Sequence, residues 1–195
     1  MLANVVYAIP THHFYEPKHR KLSECEEFIT RLRKDSKQRL AVGLHEANHY
    51  LTAKKFGLQP RYGGSAIEHI CETDQWVCTF GQTQVPIEEY QKLTIEQTAE
   101  FLVAGSVAER VILGFAPDET SQIDYEALIF SGRGKPSDLI WLWKKTGERM
   151  ARELQADLEG QRCLIHEAAR YENDIFGIDR SVREVSNTPA EVAAG

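Results

Sequence analysis

Apolar positions set the expected elements. In KLSECEEFITRLRKDSKQ the Leu, Phe and Ile residues recur at helical intervals, and Ser23 and Glu26 have capping-box spacing, so a helix is expected over roughly residues 23–35. Leu40, Leu44, Ala47 and Leu51 then form a stripe at i, i+4, i+7 and i+11, stopped by Gly57 and Pro60, which predicts a second, core-facing helix. Residues 66–85 change character. There β-branched and aromatic residues flank a polar centre at Glu72 to Gln75, the pattern of an antiparallel hairpin. Thr94 and Gln97 make another capping box, opening TIEQTAEFLVAGSVAERVILG, and its small residues Ala104, Gly105, Ser106 and Ala108 let the second helix approach closely. After Gly114 a polar stretch leads to the short helical piece IDYEALIF, closed by the turn residues SGRGKP. From Ser137 to Tyr171 the pattern is helical again, with Leu139, Leu142, Met150, Leu154, Leu158, Ile165 and Ala168 as core positions and a bend expected at Gly160. The sum is an α+β chain: mostly helices with one small β-hairpin or sheet.

Length and composition narrow the class. With 195 residues, 42% hydrophobic and 27% charged, the chain suits one domain with a full core. Its net charge of −6 and lack of a basic run speak against nucleic acid or an anionic membrane surface as partner. No secretory leader pattern and no apolar run of membrane-spanning length is present, so a soluble, cytoplasmic protein is expected. Cys25, Cys71, Cys78 and Cys163 show no C-x-x-C spacing and are expected to be reduced and structural.

The chemistry concentrates in GLHEANHYLTAKKFG, where His45-Glu46-Ala47-Asn48-His49 reads as H-E-x-x-H on the second helix. Residues four apart share a helix face, so His45 and His49 can aim at one Zn²⁺ ion. Glu46, one position on, is turned by roughly 100° toward the ion's open side, where a general base belongs. The alternative is two histidines that merely cap or pack. Two His ligands leave a catalytic zinc one protein ligand short, and Lys55 stands where the metzincin spacing would need a third His. Asp124 and Asp138 each open a helical piece and can each supply the missing carboxylate; Glu100 and Glu109 of the third helix are further candidates.

The order of the HEANH helix, a hairpin, a helix containing GSVAERVILG and an Asp opening the next helical piece resembles the peptidase domain of FtsH-type ATP-dependent zinc proteases. The likeness spans residues 37–172, leaving 1–36 as an N-terminal arm with the first helix and 173–195 as a tail. It implies a zincin-like metallopeptidase domain. It implies His45, His49 and Asp124 as metal ligands, with Asp138 the alternative, Glu46 as catalytic base, and Glu109 as a carboxylate that orients a ligand His. Asn48 departs from the family's HEAGH, and SGRGKPS lacks the spacing of a nucleotide-binding loop. An ATPase or other protein partner is therefore expected to act in trans.

The expected activity is zinc-dependent hydrolysis of peptide bonds in a polypeptide substrate, which enters extended along an edge of the sheet between residues 66 and 85. The rival expectation is a non-catalytic or degenerate metal-binding module that recruits a protein partner. His12, His13 and His19 read as members of a solvated arm, His69 and His166 as locally satisfied, and Trp141 and Trp143 as lying on different helix faces.

Overall fold

The computed structural model describes residues 7–8, 11–12, 21–64, 66–70, 75–79, 81–115, 122–129 and 131–176. Two short strands, β1 (Tyr7–Ala8) and β2 (Thr11–His12), precede helices α1 (Leu22–Lys34) and α2 (Ser36–Lys55). Strands β3 (Arg61–Gly63), β4 (Ala66–Ile70), β5 (Gln75–Thr79) and β6 (Gly81–Pro86) follow. Then come α3 (Ile87–Tyr90), α4 (Ile95–Ala108), a π-helical turn over Glu109–Leu113, α5 (Gln122–Ile129), α6 (Pro136–Ala156) and α7 (Leu158–Ile175). The chain is α+β, mostly helical with small antiparallel sheets, as its patterning predicts.

Helix α2 is the hub. Asp35 caps it, its side chain accepting from the amides of Lys37 at 2.9 Å and Gln38 at 3.2 Å, and Gly57 ends it with a φ of 76° that only glycine adopts freely. It packs against α4, α7 and β6 together, so it is buried on nearly every side. That overrides the one-stripe reading: Leu44 and Ala47 are fully buried, while Leu40 of the same stripe is 40% exposed. Helix α4 opens with the Thr94–Gln97 capping box and lies beside α2, both as expected. The Ser23–Glu26 box does not form, because α1 starts at Leu22 and Ser23 falls inside its first turn.

The expected 66–85 hairpin splits in two. Strands β4 and β5 pair antiparallel with Ala66 opposite Thr79, and this register puts Cys78 opposite Ile67. Strand β6 instead centres a second sheet, with β3 along one edge and β1 and β2 along the other. It crosses α2 closely: a Cβ added to Gly81 would lie 2.6 Å from Val42 and 2.2 Å from the Tyr171 hydroxyl.

Cys25, Phe28, Ile29 and Leu32 of α1 share a core cluster with Val42, Tyr171 and Phe176. Cys25 is buried and disulfide-bonded, against the expectation of four reduced thiols; Cys163 is free and exposed. The long C-terminal helix breaks at Asp157 and not at Gly160, and Asp157 caps the new helix by accepting from the Gly160 amide at 2.9 Å. The break resets the helical phase, which is why Leu158 and Ile165, expected in the core, are 68% and 47% exposed.

Candidate metal centre

The two histidines lie mid-helix on α2, one turn apart, and reach the same point from one face. Their Nε2 atoms are 2.9 Å apart. Asp124, in the first turn of α5, completes the group, with Oδ2 at 3.0 Å from Nε2 of His45 and 3.4 Å from Nε2 of His49. His45, His49 and Asp124 are all fully buried, and their ligand atoms lie within 4.8 Å of one another.

The partners on the far side of each ring fix its chemistry. Nδ1 of His49 lies 2.7 Å from the main-chain carbonyl of Phe101, which can only accept, so Nδ1 carries the proton. Nδ1 of His45 faces Glu109 Oε1 at 3.2 Å, and this buried carboxylate sits at the start of the π-helical turn. In a neutral ring protonated at Nδ1, Nε2 holds a lone pair. Nε2 of both rings and a carboxylate oxygen thus converge on one point, where a proton or a metal ion can be shared among them. Two imidazoles and a carboxylate, each ring held from behind by an acceptor, form a donor set that could hold a metal ion.

The electrostatics carry the same message. Burial favours the neutral form of His45, yet the carboxylates of Glu109 and Asp124 outweigh it and hold the ring well above its ordinary range. Burial also opposes ionisation of Asp124, and here His49 and His45 win, keeping the carboxyl below its ordinary range. Positive charge is therefore drawn to this point, as a proton or as a metal ion.

Glu46 occupies the neighbouring space. It is fully buried, and among the described residues neither carboxylate oxygen meets a donor in good hydrogen-bonding geometry. Thr83 of β6 donates instead to the Glu46 main-chain carbonyl at 2.9 Å, tying the strand to the helix at this residue. Burial, opposed by His45 and His49, raises Glu46 above its ordinary value. A buried carboxyl without a hydrogen bond is costly, and sites of chemistry are where such groups persist.

Close approach of α4 makes the cluster possible. A Cβ on Gly105 would stand 2.3 Å from the His45 ring, so only glycine lets the two helices meet here. Asn48, the departure from HEAGH, donates from Nδ2 to the Ala104 carbonyl at 2.6 Å and braces the same contact. Arg133 holds the turn after α5 against α4, donating to Leu93 O at 3.0 Å and Thr98 Oγ1 at 2.7 Å.

The structure separates the competing carboxylates. Asp138 is exposed at the start of α6, and Glu100 is occupied by Lys55 at 3.3 Å and Arg149 at 2.5 Å. Of the other residues, His166 is exposed, while His12 lies on β2 opposite Gly81. His13, His19 and the side chain of His69 lie outside the described residues. Trp141 is 60% exposed and Trp143 packs against the core, the division expected of them. The Phe101 carbonyl as partner of His49 had no sequence signal, since every residue carries one. No helix among the described residues is long and apolar enough to cross a membrane. Comparison with protein-family models, curated proteins and solved structures returned no match, so the functional reading rests on this site.

Proposed function

We propose that this chain is a zinc-dependent metallopeptidase with a zincin-like arrangement, in which His45, His49 and Asp124 hold Zn²⁺ and Glu46 is the general base. One observation carries the reading: Nε2 of His45, Nε2 of His49 and a carboxylate oxygen of Asp124 converge beside the buried Glu46 of the same helix. When bound, zinc polarises the scissile carbonyl and lowers the pKa of the attacking water. Glu46, raised by burial, then takes the water's proton and returns it to the leaving amine. Glu109 keeps the proton of His45 on Nδ1, and the Phe101 carbonyl does the same for His49, so both rings offer Nε2 to the ion. An extended substrate would pair with strand β6, which Thr83 ties to the Glu46 main chain, in place of one of the strands now beside it. The resemblance to FtsH-type peptidase domains implies the same assignment.

A second reading has one observation in its favour. All four residues of the centre are fully buried, which suits a closed metal site that supports a protein-binding surface and cuts nothing. Against it, a closed structural site has four protein ligands, and such a scaffold has no use for a buried Glu46 beside the histidines.

The test is metal content by mass spectrometry of untagged protein, joined to cleavage of an unfolded polypeptide such as casein. About one zinc per chain is expected, and Glu46→Gln retains it while losing cleavage by about a hundredfold or more. Equal cleavage by Glu46→Gln and the parent chain removes Glu46 from the reaction. Zinc without cleavage in either protein selects the second reading.

A further inference from the structure

We infer that the N-terminal strands β1 and β2 occupy the substrate edge of the sheet, and that peptide hydrolysis requires their displacement. The inference rests on the metallopeptidase reading and adds regulation of that same site. It is carried by strand register. In β1, Tyr7 faces Pro86 and Ala8 faces Val85; in β2, Thr11 faces Gln82 and His12 faces Gly81. Each pair of partner numbers sums to 93, so the two pieces keep one antiparallel register against the same edge of β6. The other edge belongs to β3, which pairs with Gln82, Thr83 and Gln84.

The edge taken by the N-terminal segment is the one beside the metal centre. Strand β2 lies against α5, which carries Asp124, and against α2, which carries His45, Glu46 and His49. Strand β6 is itself tied to Glu46 by the Thr83 hydrogen bond. A polypeptide adding to this edge would therefore run past the general base, and residues of this chain already hold the place.

Local chemistry makes the occupant displaceable. Each paired piece is two residues long, and Ile9-Pro10 stands between them in the sequence. Proline has no N–H to donate to a ladder, and so short a pairing is weak by itself. An exposed strand edge leaves N–H and C=O groups that any extended chain can satisfy. The segment also indicates what competes with it. Residues 1–15 hold no Asp, Glu, Lys or Arg, and Val5, Val6 and Tyr7 favour extended backbone. The matching substrate class is an uncharged, β-prone stretch of unfolded polypeptide.

The experiment uses the full chain carrying Ala8→Pro and Thr11→Pro together, with zinc content as the check on folding. Hydrogen exchange at Gly81–Pro86 reads occupancy, casein cleavage reads regulation, and a synthetic peptide of residues 3–14 is added back to both assays. In the variant, exchange is expected to accelerate by roughly tenfold. Cleavage should rise severalfold, and the peptide should reverse both changes. Unchanged exchange overturns occupancy. Faster exchange with an unchanged cleavage rate shows a strand that is only structural and overturns the regulatory inference while leaving the peptidase intact. No cleavage by either protein removes the peptidase reading and the regulation with it, whatever exchange shows.

Discussion

Helix α4 divides two regions that use the same residue types for different ends. On one side it meets α2 and α5, where Asp124, Gly105 and Glu46 are buried around the histidines. On the other it meets α6, which carries Asp138, Gly147 and Glu148. There the contact is ordinary: Val103 and Val107 cluster with Ala151, and the charged side chains of Asp138 and Glu148 face solvent. The difference shows that residue type does not decide role. Burial around one point does, because carboxyls and imidazoles that close together are tolerated only where they neutralise one another or a ligand does.

The sharpest break in this comparison comes from its two aspartates. Asp124→Ala removes one ligand of three, and the expected result is a fall from about one zinc per chain to nearly none after dialysis, with cleavage lost. Asp138→Ala should leave zinc content and rate unchanged, since its side chain is exposed. Equal metal retention by the two variants would reject the ligand set.

This pair also marks how far the sequence could be read. H-E-x-x-H was legible because its geometry is local: four residues on a helix bring His45 to His49 whatever the rest of the chain does. The Thr94 capping box was legible for the same reason. The third member of the cluster was not separable by local pattern, because both aspartates lie in the first turn of a helix. Only tertiary placement distinguishes them, bringing Asp124 to the two histidines and leaving Asp138 exposed. Strands β1 and β2 left no periodic signal in two-residue pieces, and their partners are 69 to 79 residues away. Leu40, Leu158 and Ile165 failed as core positions because a stripe cannot show that α2 is surrounded or that Asp157 resets the phase.

The glycines give the next largest contrast. A methyl group at Gly105 would stand 2.3 Å from the His45 ring, whereas at Gly147 it would meet the Val103 side chain at 3.2 Å, a gap that a small shift relieves. Gly105→Ala is expected to destabilise by about 1–3 kcal/mol and to weaken zinc binding by at least about tenfold, as the ring leaves its place. Gly147→Ala should change neither the metal content nor the rate. Chelator competition reads the first effect and thermal unfolding the second, and full zinc affinity in Gly105→Ala would contradict the close approach that builds the site.

The smallest effect separates the glutamates, and it appears in stability with metal removed. Burial raises Glu46 above its ordinary value, so below that value it is protonated both folded and unfolded and contributes nothing pH-dependent. As pH rises through the ordinary value, the unfolded chain releases its proton while the folded one resists. The fold then loses stability, and the loss is complete once pH passes the folded value. Glu46→Gln cannot ionise and escapes this loss. In chelator-treated protein at about pH 7 it should raise Tm by about 2–4 °C, equivalent to about 1 kcal/mol in a chain of this length. At about pH 4 the two proteins should melt together. Glu148→Gln, exposed on α6, should shift Tm at neither pH. A gain at pH 7 that persists unchanged at pH 4 would mean that Gln packs better than Glu, and that the ionisation of Glu46 is not what the fold resists.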